Sequence, residues 1–368
     1  MRMMTMKELR NNKVVLGLSG GVDSTTAALL LKEKGYEVIG LFLDVMGDGS
    51  SDIEAAAKAA EQLDIPFVHR DVSDIFEKVV ISDFCREYSI GHTPNPCVVC
   101  NPNVKFKTII DVADELGAYY IATGHYARII NRYDRYYVQQ AASLRKDQSY
   151  MLYRLGQDIL SRIIFPLGNF QDKEETRNLA KSHKLFSADK ADSQEICFIE
   201  DGKKAYVDFI EDRGFHCEQG DFIYSDGSVI GKHKGLLYYT VGQRKGLGLN
   251  LGKSAFVTKI DPAGNTITLG SNKDLFKENV VSHSNFFVAD STERIPETVD
   301  NDCLLAKIRY GAGLSPCTLK AGDNGRVIAT FDIAQRAATP GQSIVFYAKD
   351  SEEESAYVIG GGLIESDY

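Results

Sequence analysis

The chain has 368 residues, 43% hydrophobic and 25% charged, a composition that excludes a wholly disordered or collagen-like protein. Its 42 Lys and Arg against 51 Asp and Glu give a formal charge of −9, which argues against a general polyanion binder but not against an enzyme that gathers its cations on one face. No apolar run approaches the ~20 residues that cross a bilayer, the first residues lack the apolar core of a secretory signal, and seven cysteines, an odd number, make a poor disulfide framework, so a cytoplasmic protein without a membrane segment is expected.

The first half alternates strand and helix. Residues 14–18 and 38–43 read as short buried strands, followed by helical runs at 24–34 and 53–63. Further strands are expected at 65–69 and 119–123, with helices around 75–88 and 104–116 between them. This alternation predicts right-handed βαβ units and a doubly wound, mostly parallel sheet. After about residue 205, Gly- and Asp/Asn-rich turns separate short β-branched runs, as in Ser225-Asp-Gly-Ser, Asp261-Pro-Ala-Gly-Asn and Asp323-Asn-Gly. That spacing predicts small antiparallel sheets or a barrel. The expected division is an ATP-binding catalytic domain at 1–205, a smaller β-rich central domain at 206–280 and a C-terminal β-barrel-like domain at 281–368.

Ser19-Gly-Gly-Val-Asp-Ser24 lies between the first strand and the first helix. Two glycines let backbone approach a phosphate, and the helix behind offers N–H groups to an anion. Asp23 is an odd companion for phosphates unless it holds a metal ion or caps the helix. The plain alternative is a Gly turn with an Asp cap. The segment is neither a Walker A loop nor a Rossmann fingerprint. It resembles the pyrophosphate loop of the N-type ATP pyrophosphatases, which include GMP, NAD and argininosuccinate synthetases. That resemblance implies an adenine nucleotide alpha hydrolase-like fold and cleavage of ATP between its α and β phosphates, with Mg2+.

Gly91-His-Thr-Pro-Asn-Pro-Cys-Val-Val-Cys-Asn101 carries the next chemistry. Prolines on both sides of Asn95 predict a stiff, extended turn that presents Cys97 and Cys100. A helix from about Val104, with Lys105 and Lys107, would favour thiolate. A structural zinc site drawing in Cys85 or His92, inert buried thiols, and a redox pair are the competing readings. Cys197, flanked by Ile196 and Phe198, reads alone as either a core or a functional thiol.

Taken together, the motifs resemble the tRNA-specific 2-thiouridylases. The matches are Gly17 to Ser24, Thr93 to Asn101 with Lys105-Phe, Ala122-Thr-Gly-His-Tyr126, Lys146-Asp-Gln-Ser-Tyr150, Asp192 to Phe198, Gly231 to Gly235, Thr240 to Gly248 and Thr339-Pro-Gly-Gln342. They occur in family order along nearly the whole chain. The resemblance implies 2-thiolation of the wobble uridine in tRNAs for Lys, Glu and Gln, with uridine O2 adenylated by ATP. It also implies that Gly17, Leu18, Ser19, Gly20, Gly21, Val22, Asp23 and Ser24 bind ATP, with Leu43 and Gly124 lining the adenosine pocket. Cys197 would carry a persulfide supplied by a cysteine desulfurase or sulfur-relay protein. Cys100 would act as nucleophile and close a disulfide with Cys197 on turnover.

By the same resemblance, Asn95, Pro96 and Cys97 touch the target base, while His125, Lys146, Asp147, Gln148, Arg309, Tyr310 and Gln342 contact tRNA. Cations meeting phosphates and a tyrosine stacking on a base fit those roles. One departure stands out: some family members have Asp where this chain has Cys97. Cys97, Cys100 and Cys197 could instead ligate a [4Fe–4S] cluster with one open iron. The persulfide and cluster routes both remain open in the sequence. So do an amide-forming synthetase with the same loop and a non-catalytic sulfur or cluster carrier.

Overall fold

The structure is a computed structural model, and it describes residues 10–47, 51–190, 196–199, 205–252, 254–296, 303–349 and 355–366. Asp192 to Glu195 of the motif around Cys197, and residues 351–354 of the acidic run near the C-terminus, lie outside them.

The first layer is a five-stranded parallel sheet. Across it run Phe67–Asp71, Glu37–Asp44, Lys13–Gly17, Tyr120–Ala122 and Ile163–Ile164. Lys13–Gly17 is central, and its Val14, Val15 and Leu16 are fully buried. A strand covered on both faces is continuously apolar rather than alternating. Helices Val22–Glu33 and Ser51–Gln62 pack on the sheet with Phe106–Glu115, whose Ile109, Val112 and Ala113 are buried. The order of strands reverses beside Lys13–Gly17, since Glu37–Asp44 lies on one side of it and Tyr120–Ala122 on the other. In open α/β sheets ligands bind beyond the carboxyl ends of the strands at such a switch point.

The central unit is a four-stranded sheet in the order Phe256–Asp261, Thr266–Gly270, Gly220–Ile223, Val229–His233, built around the buried Phe222, Val257 and Ile267. The C-terminal unit is a barrel. Its strands run Phe276–Phe287, Val327–Arg336, Ser315–Ala321, Leu304–Lys307, Ser343–Ala348 and Tyr357–Ile364, and the last pairs with the first to close the ring. A hairpin from the first half of the chain, Arg128–Arg132 with Arg135–Gln139, extends the barrel's sheet through the pair Tyr357↔Gln139. A shared apolar core also joins the units: Phe106 and Ile109 of the first domain fall in the same buried cluster as Phe287, Val327 and Phe346 of the barrel.

Candidate active site

The nucleotide loop stands at the switch point. Gly20 adopts φ +70°, and a Cβ there would come within 2.6 Å of the Ala55 backbone. Only glycine meets both demands. Gly21 is the N-cap of helix Val22–Glu33 and supplies no side chain to cap its first-turn N–H groups. Those groups are thus left for an anion. Ser24 Oγ accepts from Ser19 N (3.1 Å) and donates to Gly21 O (3.2 Å), so the loop is closed on itself. Asp23 is not the cap. Its Oδ1 accepts from Tyr126 Oη (2.8 Å) and its Oδ2 from Lys173 Nζ (2.6 Å).

The segment after Tyr120–Ala122 forms the facing wall. A Cβ at Gly124 would lie 2.9 Å from the Asp23 carbonyl carbon and from Ser24 N, so only a bare backbone fits against the loop. Leu43 lies half-buried near the carboxyl end of its strand, the same end of the sheet. One residue beyond Gly124, His125 shares a hydrogen bond with Thr123 Oγ1 (2.6 Å) and packs against the rings of Phe106 and Phe165. Burial, with the nearby Lys105 charge second, pulls its pKa down to about 3, so the imidazole is neutral at ordinary pH. His125 therefore connects the nucleotide loop to Lys105.

Lys105 leads to the thiols. The Pro-Asn-Pro frame does not stay extended through the cysteines, because Pro96–Cys100 is a helical turn. Asn95 is its N-cap, accepting from Cys97 N (3.1 Å), and Pro96 takes the first position, where its missing N–H costs nothing. The chain continues through a π-helical stretch, Asn101–Lys105, into Phe106–Glu115. No separate helix starts at 104. Such π-bulges are frequent at functional sites.

The expected low thiol pKa is not what this geometry gives. Cys100 is only 9% exposed, and burial pushes its thiol up, against an opposing pull from Lys105. Cys197 has an open residue surface, yet desolvation raises its thiol to about 11, with Lys105 lowering it and the Cys100 and Cys97 sulfurs raising it further. Burial outweighs one half-buried lysine. Lys107 does not help, being exposed and paired with Asp111 (2.5 Å). These mutual influences bring Cys97, Cys100, Cys197 and Lys105 into one neighbourhood. All seven cysteines are free thiols.

Among the described residues, no three His, Cys, Asp or Glu side chains are set to hold a metal ion. Cys85 is fully buried, and both His92 ring nitrogens are engaged, by Glu87 (2.7 Å) and Ser366 (3.0 Å).

The remaining expected residues fall on several elements, and of them only Tyr310 is tied here to the thiols. Tyr310 is 41% exposed on the barrel and lies within electrostatic reach of Cys97. Arg309 beside it is exposed, and Lys146 is half-buried. Asp147 is buried, accepting from Ala141 N, Ser149 N and Ser149 Oγ, with Lys307 Nζ at 3.8 Å. Here its carboxylate braces the loop that carries Lys146 and Gln148. Gln148 Oε1 accepts from Tyr126 N (2.9 Å), and Gln342 Nε2 donates to Thr93 O. Thr93, just ahead of the cysteine helix, also donates through Oγ1 to Thr240 Oγ1 (3.1 Å) and through N to Pro340 O (2.9 Å).

Sequence reasoning assigned no role to Lys173, Tyr126, Thr93 or Phe198. The start of helix Lys173–Ser182 is legible in Asp172-Lys-Glu-Glu175, since Asp172 accepts from Glu175 N (2.8 Å). Nothing in that pattern says where its lysine points.

Residues 12–201 match the family described as tRNA methyl transferase HUP domain, residues 207–271 its PRC-barrel domain, and residues 279–364 the aminomethyltransferase β-barrel domain. The protein named tRNA-specific 2-thiouridylase MnmA in Lachnoclostridium phytofermentans is 41% identical over 367 residues, covering 96% of this chain and 99% of that one. Its namesake in Clostridium perfringens is 42% identical, covering 97% and 99%. A third, from Caldanaerobacter subterraneus, is 43% identical, covering 96% and 98%.

Proposed function

The chain belongs to the tRNA-specific 2-thiouridylase family, and from that premise we propose that it is a cytoplasmic enzyme that uses ATP to activate uridine O2 and a Cys197 persulfide to deliver sulfur. It is a tRNA sulfurtransferase with a nucleotide-binding HUP domain.

ATP seats its phosphates over the Ser19–Ser24 loop. The wobble uridine, turned out of the anticodon stack, meets the Asn95–Cys97 turn. Its O2 attacks the α-phosphorus and pyrophosphate leaves. The terminal sulfur of a Cys197 persulfide then attacks C2 and displaces AMP. Cys100 attacks Cys197 Sγ; the sulfur–sulfur bond to the base breaks with its electron pair on the base's sulfur, and a Cys100–Cys197 disulfide forms. An external thiol reductant supplies the two electrons that restore both thiols. Lys105 is the cation beside both sulfurs and stabilises thiolate as it forms. A desulfurase or relay protein reloads Cys197.

One observation carries this reading: within three consecutive residues, Thr123 to His125, Gly124 lies against the Ser19–Ser24 loop and His125 lies within electrostatic reach of Lys105, whose charge also acts on Cys100 and Cys197. On this reading activation and sulfur delivery take place side by side. The test uses unmodified tRNA, ATP and a persulfide donor, with AMP and 2-thiouridine measured separately. Cys197→Ser keeps AMP formation and loses 2-thiouridine, whereas Asp23→Ala loses both. Wild-type thiolation in Cys197→Ser overturns the proposal.

A further inference from the structure

The loop from Gly17 to Ser24 contains no lysine or arginine, although splitting ATP at the α-phosphorus leaves negative charge on the departing pyrophosphate. A cation reaches the loop from elsewhere in the chain. Lys173 Nζ lies 2.6 Å from Asp23 Oδ2, and the lysine side chain is only 15% exposed. Its position is braced. Lys173 opens helix Lys173–Ser182, and Thr176, three residues on, is fully buried with Oγ1 2.8 Å from Tyr126 Oη. Tyr126 Oη in turn donates to Asp23 Oδ1. The ammonium is therefore presented at the first turn of Val22–Glu33, beside the N–H groups that suit a phosphate.

We propose that Lys173 is a catalytic residue: in the loaded enzyme its ammonium exchanges Asp23 for a β-phosphate oxygen and stabilises the pyrophosphate as it leaves. This rests on the ATP-splitting reading above and adds to it the group that receives the leaving charge. In the step itself, uridine O2 forms a bond to the α-phosphorus. The bond from that phosphorus to the α–β bridging oxygen breaks, and the electron pair stays on the pyrophosphate. Lys173 gives up no proton; it supplies a fixed positive charge where negative charge grows, which is worth most in a partly dry site. In the absence of nucleotide, the Asp23 carboxylate stands in for the phosphate oxygen and holds the ammonium in place.

The competing role is a brace, with Lys173 serving only to hold Asp23 and the shape of the loop. The two roles differ in which nucleotides they affect. A contact to the β-phosphate is absent from AMP, whereas a misshapen loop weakens AMP and ATP alike. The experiment measures equilibrium binding of ATP, pyrophosphate and AMP to full-length Lys173→Met and Lys173→Arg, and AMP formation on unmodified tRNA. For Lys173→Met, ATP and pyrophosphate affinity fall roughly 10-fold, AMP affinity stays at the wild-type value, and AMP formation falls about 100-fold. Lys173→Arg recovers much of the preference for ATP over AMP.

A parallel loss of ATP and AMP affinity in Lys173→Met overturns the proposal in favour of the brace. A second measurement on the wild type does not depend on how the variant folds: amine acylation of Lys173, followed by peptide mass spectrometry, is suppressed by pyrophosphate and left unchanged by AMP. Equal labelling with and without pyrophosphate, in protein that binds it, also overturns the proposal. Wild-type protein that binds no ATP defeats this proposal and the ATP reading together. Wild-type protein that binds ATP, with an unchanged Lys173→Met, defeats this one alone.

Discussion

Cys100 and Cys197 experience the same opposition, burial raising each thiol and Lys105 lowering it, and burial prevails at both. Their reactivity is therefore held low until substrate or a loaded sulfur changes the surroundings. In the free protein, alkylation of Cys197 by iodoacetamide should be slow at neutral pH and rise about tenfold per pH unit toward its raised pKa. Lys105→Met should slow it further at every pH, and mass spectrometry of the Cys197 peptide reads both effects. His125 makes a separate prediction. Its folded pKa is about 3 against an ordinary 6.5. A depressed histidine pKa means that the unfolded chain takes up the proton first. The stability it confers is whole above pH 6.5 and is lost as pH falls toward 3. Denaturant unfolding across that window should show a steeper acid loss for the wild type than for His125→Phe. The motif makes His125 visible in the sequence, but its burial against Phe106 and Phe165 depends on contacts up to 40 residues away along the chain, about which local pattern says nothing.

At the scale of elements, the strands and helices around the nucleotide loop were legible because each carries its own apolar pattern: residues 14–18 were expected and Lys13–Gly17 is found, 24–34 were expected and Val22–Glu33 is found. The cysteine helix was misread for an instructive reason. Asn followed by Pro is both a turn signal and a helix-start signal, and the four apolar and thiol residues after it are too few to show a period. The hairpin Arg128–Gln139 escaped because its turn uses Tyr133 and Asp134 at positive φ in place of the usual glycine. The loop bearing Cys197 has an anchor that sequence did not reveal. Phe198 is 7% exposed and meets the rings of Phe76, Phe84 and Phe209 at centroid distances of 5.3–5.6 Å. Phe198→Ala should lower 2-thiouridine formation roughly 10-fold or more through misplacement of Cys197. ATP binding should persist, because the nucleotide loop lies in a different apolar cluster. A variant that thiolates at the wild-type rate removes the anchor from the mechanism.

For the whole molecule, a net charge of −9 means that tRNA affinity must come from a local gathering of cations. Binding should weaken steeply as salt rises, with the logarithm of affinity falling linearly against the logarithm of salt. Arg309→Ala and Lys146→Ala should each reduce that slope by about one phosphate contact's worth. A slope near zero in filter binding contradicts the electrostatic account. The boundary between domains, as expected from composition, hides how the units interlock. The barrel borrows a hairpin from the first half of the chain, and pairings such as Tyr357↔Gln139 join residues more than 200 positions apart.

Thr93 has a further consequence. It is bonded to Thr240 of the central unit and to Pro340 and Gln342 of the barrel, and the cysteine helix begins three residues later. The central unit and the barrel therefore hold the root of the helix that carries Cys100, the thiol proposed to close the disulfide. Thermodynamic reciprocity then applies: if bound tRNA changes the equilibrium between dithiol and disulfide at Cys100 and Cys197 by some factor, closing the disulfide must change tRNA affinity by the same factor. If tRNA favours the dithiol form, oxidation at the end of each proposed cycle loosens the finished tRNA, and reduction resets the grip for the next. Equal tRNA affinity in the reduced and oxidised forms would show that the junction transmits nothing.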